Sequence, residues 1–186
     1  PFSSFPLAWK GKGRYPSPAM TDSPLQIAGR QFTSRLMVGT GKFSSNESMK
    51  EALEASGSQI VTVALRRADL TGSHDPAANI LDFINPEKYL ILPNTSGATT
   101  AEEAVRLARL AAAAGLPNWI KLEIHPDAQY LMPDPIETLK AAEILVKDGF
   151  DVMVYCSDDP IQAKMLEDIG CAAIMPLASP IGSGMG

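Results

Sequence analysis

The chain has 186 residues, of which 45% are hydrophobic, 20% charged and 6% aromatic, the balance of a globular protein with one sizeable core. No apolar run approaches the roughly 20 residues of a membrane span, and a net charge of −5 leaves no basic footprint for nucleic acid. An anionic ligand would therefore have to be held by a local arrangement rather than by the global field.

The first twenty residues stand apart. They carry Lys10, Lys12 and Arg14, no acid, and many Pro, Ser and Gly residues without periodicity, which predicts a disordered extension preceding a natural start at Met20. From there to Gly186 the chain reads as one domain. Its first strand-like run is Leu36–Gly39, and the second is Ile60–Leu65, closed by Arg66 and Arg67. One of these arginines binds an anion or pairs with an acid. The third run, Tyr89–Leu92, is followed by Asn94, Thr95 and Ser96, whose side chains either contact a sugar hydroxyl or cap the loop.

Thr99 with Glu102 reads as a capping box for a helix over AEEAVRLARLAAAAG, with Ala101, Ala104, Val105 and Ala108 on one face. The fourth run is Trp119–Ile124. Here Ile120, Leu122 and Ile124 alternate with Lys121 and Glu123, the period of a strand with two distinct faces. Asp134-Pro135 opens the next helix, Val152–Cys156 is the fifth run, SDDP (Ser157–Pro160) caps another helix, and Ala172–Leu177 is the sixth run. Gly57, Gly115, Gly149 and Gly170 precede strands where a helix end needs a left-handed residue. His74 and His125 are isolated and read as turn or surface histidines. Cys156 and Cys171 lie in apolar runs without a CxxC spacing, which predicts buried reduced thiols and a cytoplasmic protein, and leaves no metal motif.

Strands alternating with helices imply parallel pairing through right-handed crossovers. A central strand of an open sheet, covered on both faces, rarely spares same-face positions for charges such as Lys121 and Glu123. A (β/α)₈ TIM barrel does, because one strand face looks into the lumen, whose C-terminal mouth holds the active site. Six units nearly exhaust the residues after Met20, whereas a barrel typically takes about 250 residues. The expectation is a barrel interrupted after its sixth strand.

On an arbitrary strand a Lys–Glu pair faces water. In a lumen, desolvation favours the neutral form of an amine, which attacks a ketone or aldehyde to give a Schiff base while a neighbouring carboxylate moves protons. Lys121 and Glu123 are thus the candidate catalytic pair. In the loop ASPIGSGMG, Gly182 and Ser183 follow the sixth strand directly; this is either a plain turn or a place where backbone N–H groups converge on a phosphate.

SRLMVGTGKF, the arginine pair of VALRRADL, LPNTSGATTAEEAVRLARLA, IKLEI, PDPIETLKAAEILVKDGFDVMVYCSDDP and CAAIMPLASPIGSGMG together resemble the bacterial thiazole synthases of thiamine biosynthesis, from about Leu25 to Gly186. The resemblance implies a TIM barrel in which Lys121 forms an imine with 1-deoxy-D-xylulose 5-phosphate and Glu123 moves protons along the sugar. It also implies sulfur delivered as the thiocarboxylate of a sulfur carrier protein, dehydroglycine as the C–N unit, backbone contact to substrate at Gly182, a homo-oligomer, and no metal or tightly bound organic cofactor. Family members continue through a seventh strand with a further catalytic aspartate and an eighth with phosphate contacts. Two alternatives stand beside this reading: a Schiff-base sugar-phosphate aldolase, which needs no sulfur carrier, and a noncatalytic partner- or phosphate-binding fragment.

Overall fold

The computed structural model describes residues 23–65 and 79–179. The expectations on the first twenty residues, His74, Arg66, Arg67, Gly182 and Ser183 fall outside them.

All six expected strands form. They are β3 (Met37–Gly39), β4 (Ile60–Ala64), β5 (Leu90–Asn94), β6 (Trp119–Leu122), β7 (Asp151–Cys156) and β8 (Ala173–Pro176). They pair in parallel and in chain order to make one six-stranded sheet. Sequential order with a crossover at each step is what βα units give when each strand is laid beside the last. The sheet curls into part of a barrel wall.

The helices lie on one face. In chain order they are α1 (Asn46–Ser56), α2 (Ala101–Ala113), α3 (Pro135–Lys147) and α4 (Pro160–Ile169). Asp134 accepts from the N–H groups of Ile136 and Glu137, and Asp159 from that of Ile161, each with proline at the first helical turn. The cap of α2 differs by one residue from the expected box. Thr100 is the N-cap and accepts from the Glu103 N–H, while the Glu103 carboxylate reaches back to the N–H and hydroxyl of Thr99. All four glycines expected to be left-handed are so, with φ between 65° and 101°.

The outer sheet face packs against alanine-rich helix surfaces. Ala104, Ala108 and Ala111 of α2 and Ala141 and Ala142 of α3 meet Ile120, Leu122, Val152 and Val154, all essentially inaccessible to water. Small side chains let the helices approach the sheet closely. Met49 and Leu53 of α1 cover Val61, Val63 and Ile91, helped by a 3₁₀ turn at Ile80–Phe83.

One element was not read from the sequence. A hairpin of β1 (Leu25–Ile27) and β2 (Arg30–Phe32) precedes β3. Its two-residue turn, Ala28-Gly29, has positive φ at both positions (46° and 73°), as the twist of a tight hairpin requires. The Gln59 side-chain oxygen accepts from the N–H groups of Thr33 and Ser34 at 2.7 and 3.1 Å and ties the hairpin's exit to the sheet. Ile27 and Phe32 then insert among Ile60, Leu90, Leu92, Trp119 and Met153 on the inner sheet face, with Phe32 edge-on to Trp119 at 6.2 Å. This apolar layer lies toward the N-terminal ends of the strands. Above it, on the same inner face, the side chains turn polar.

Candidate active site at the C-terminal ends of the strands

Positions 119, 121, 123 and 125 share the inner face, and their character changes along it from Trp to Lys to Glu to His. β6 itself ends at Leu122, two residues short of the expected Ile124. The chain stays extended because Ile124 bridges Ala98, with the His125 N–H donating to the Ala98 carbonyl at 2.9 Å. Glu123 is fixed differently. The hydroxyl of Thr95, wholly buried, donates to the Glu123 carbonyl at 2.8 Å and accepts from the Glu123 N–H at 2.9 Å. Thr95 therefore takes the place of a ladder partner just where β5 and β6 separate after the pair Asn94–Lys121. Asn94 accepts from the Ser96 N–H at 3.2 Å. The expected loop capping is present, and Thr95 in addition positions Glu123.

The expected pair is in place. Lys121 Nζ lies 3.0 Å from Glu123 Oε1, and Glu123 is only 7% exposed. Lys121 keeps more access to water, and its ammonium sits 6.0 Å from the centroid of the Tyr155 ring. Tyr155 forms the neighbouring wall from β7, and its hydroxyl donates to the Leu131 carbonyl at 3.2 Å. Leu131 holds a left-handed φ of 54° in the loop between β6 and α3, an uncommon conformation that points its carbonyl at the tyrosine. Burial, then the Glu123 charge, pushes the Tyr155 phenol above its usual range, so it keeps its proton at neutral pH.

His125 corrects the expectation of a turn or surface histidine. It is 5% exposed, packs edge-on against Tyr155 at 5.5 Å, and brings Nε2 to 3.5 Å from Glu123 Oε2. Burial pulls its pKa below 6.5; the Glu123 charge opposes this and the Lys121 charge adds to it. The signal was present in the sequence, since the period that turns 121 and 123 inward carries to 125.

Of the cysteines, Cys156 is buried and Cys171 half-buried; both are free thiols, and burial pushes both above the usual thiol range. The SDDP turn is a helix cap through Asp159, as expected. Among the described residues no group of three His, Cys, Asp or Glu side chains could hold a metal ion. No helix among them is long and apolar enough to cross a membrane.

A buried carboxylate 3.0 Å from a lysine in a half-open lumen can accept that amine's proton and return it elsewhere. This is the equipment of imine chemistry.

Comparison with known proteins gives the family. The thiazole synthase of Syntrophobacter fumaroxidans is 64% identical over 165 residues, covering 89% of this chain and 63% of its own length. That of Aquifex aeolicus is 56% identical over 168 residues, 90% of this chain and 62% of its own. The chain thus spans a little over three-fifths of the length of these relatives. Among solved structures, the Amycolatopsis orientalis BexX/CysO complex superposes with a TM-score of 0.74 at 30% identity, over 89% of this chain and 67% of the matched one. Residues 26–186 match the family model described as thiazole biosynthesis protein ThiG, and the chain belongs to that family.

Proposed function

We propose that the chain carries the imine-forming site of a thiazole synthase, built on six staves of a (β/α)₈ barrel. The observation that carries this is the 3.0 Å contact between Lys121 Nζ and Glu123 Oε1 on the inner face of β6. An amine attacks a carbonyl only when unprotonated, and Glu123 is placed to take that proton. The lysine nitrogen adds to the ketone of 1-deoxy-D-xylulose 5-phosphate, and water leaves as the imine forms. Glu123 protonates the departing hydroxyl, removes the proton from the adjacent hydroxyl-bearing carbon and returns a proton to the former imine carbon, so that the imine becomes an amine and the carbonyl moves one place along the chain.

Sulfur from the thiocarboxylate of a sulfur carrier protein, and dehydroglycine as the C–N unit, complete the ring. The BexX/CysO structure gives this fold a precedent for a docked protein. Gly182 and Ser183 follow β8, whose C-terminal end opens on the same side as that of β6, and their backbone N–H groups are the proposed phosphate contacts. The proposed homo-oligomer has support in apolar residues exposed on the helices, among them Leu110, Ile136, Ile144, Ile161 and Met165.

Borohydride reduction of the full-length protein with the sugar phosphate tests the reading. A stable adduct should map to Lys121 and vanish in Lys121→Ala; full labelling of that variant sinks the assignment. Cleavage of the sugar phosphate without any thiocarboxylate would identify an aldolase instead.

A further inference from the structure

Glu123 has two carboxylate oxygens, and Lys121 engages one of them. Oε1 lies 3.0 Å from Lys121 Nζ, while Oε2 points at His125 Nε2, 3.5 Å away. That nitrogen has no hydrogen-bond partner although the His125 side chain is 4% exposed. A buried orphan nitrogen is costly unless a partner is within reach, and this carboxylate is an acceptor within reach at 3.5 Å. The His125 backbone is fixed by its N–H, which donates to the Ala98 carbonyl, and its ring packs edge-on against Tyr155.

We infer that His125 is a positioning residue for Glu123: its Nε2–H closes onto Oε2 and holds the carboxylate with Oε1 toward Lys121 and the substrate. The inference rests on the reading of Lys121 and Glu123 as the reacting pair. Thr95 fixes the backbone of Glu123, but three side-chain torsions separate that backbone from the carboxylate. Without a second anchor Oε1 is free to swing away when Lys121 becomes an iminium, which keeps the charge but only one of the three N–H donors of the ammonium. His125 supplies the anchor as those hydrogen bonds are given up. Among the described residues the charged and titratable groups facing its ring are Glu123 and Lys121 from the same extended segment and Tyr155 from β7. Because burial keeps the imidazole neutral near pH 7, it donates one N–H without adding charge, and leaves Glu123 able to take and release a proton.

The test uses full-length protein labelled with ¹⁵N-histidine, with the His125 resonance assigned by its loss in His125→Gln. The expected spectrum shows the Nε2–H tautomer, and the resonance moves in Glu123→Gln. In turnover, His125→Leu should lower kcat on the order of 10²-fold, the cost of a misplaced catalytic group. KM for the sugar phosphate and reductive labelling of Lys121 should stay within about twofold. His125→Gln, whose amide nitrogen stands near the position of Nε2, should recover most of the loss. An Nδ1–H tautomer insensitive to Glu123→Gln overturns the inference, as does wild-type kcat in His125→Leu or equal losses in the Leu and Gln variants. If the Leu variant does not fold, the tautomer and its response to Glu123→Gln decide the matter. Failure of the wild-type protein to label at Lys121 would strike the reading of the reacting pair, while the resonance would still report whether His125 and Glu123 are joined.

Discussion

Replacing Thr95 by Val removes one hydroxyl and changes almost nothing else in shape. That hydroxyl serves both backbone groups of Glu123, donating to its carbonyl at 2.8 Å and accepting from its N–H at 2.9 Å. Thr95 is 0% exposed and Glu123 7%, so water cannot easily take over either role. A buried group stripped of its partner costs ~1–3 kcal/mol, and two such groups, with some relaxation, give about 2–4 kcal/mol. Against a typical domain stability of ~5–15 kcal/mol that is a large share. At a urea dependence of ~3 kcal/mol per molar, the unfolding midpoint of the full-length protein should fall by about 1 M. Activity should fall further than stability at a temperature where the variant stays folded, because a carboxylate displaced by about 1 Å loses on the order of 10²-fold in rate. Thr95→Ser keeps the hydroxyl and should recover most of both losses. Urea unfolding and single-turnover rates of the two variants check this. A Val variant with the wild-type midpoint and rate, or a Ser variant no better than Val, would refute the assignment of Thr95 as the partner of Glu123.

Phe32→Ala empties the apolar layer beneath the site and should cost ~3–5 kcal/mol in urea unfolding, while borohydride labelling of Lys121 persists wherever the variant is folded. Burial pushes the Cys171 thiol up to about 11, so about one thiol in a thousand is ionised at pH 8 and its iodoacetamide alkylation should accelerate about tenfold per pH unit up to pH 10. The folded-state pKa of His125 lies below its ordinary 6.5, so the unfolded chain binds more protons in the window beneath that value. Stability should therefore rise with pH through that window and be lost as pH falls through it, and His125→Gln should flatten that slope in unfolding curves taken from pH 7 downward.

Four of the six strands, β4, β6, β7 and β8, were legible because an apolar run follows a left-handed glycine that closes the element before it, two local signals that agree, whereas β3 and β5 rest on the apolar run and its turn residues. The hairpin was not legible. Its turn is Ala28-Gly29, and alanine at φ 46° lacks the Asn or Asp that usually marks a two-residue hairpin; only the packing of Ile27 and Phe32 under the sheet makes it worth forming. The α2 cap slipped by one residue because Thr99 and Thr100 stand in tandem before Glu102 and Glu103, and both spacings satisfy the same pattern. Lys121 and Glu123 were found through period two. His125 stands one residue beyond the apolar run Trp119–Ile124, and its inward facing shows only when the period of Lys121 and Glu123 is carried past the end of that run. The role of Thr95 was out of reach, since no short-range signal connects it to Glu123, 28 residues away.

The site and the register of β6 are one constraint. Ile120, Leu122 and Ile124 are fully buried on the helix side, while Trp119, Lys121, Glu123 and His125 face inward. A slip of one residue would drive Lys121 and Glu123 into the alanine-lined layer against α2 and α3, where no partner could offset the desolvation of either charge. The same slip would turn the isoleucines toward the mouth. The sequence therefore has two reasons to hold a single register, one from the core and one from the charges. On the inner face Trp119 is buried in the apolar layer, Lys121 is partly solvated, and Glu123 and His125 beyond it are buried again. Glu123 is thus held away from bulk water yet within reach of a proton from Lys121. Strengthening the apolar contacts below would leave that arrangement intact, whereas loosening Thr95 or His125 would not. The side chains of both groups meet Glu123, that of Thr95 at its backbone and that of His125 beside its carboxylate.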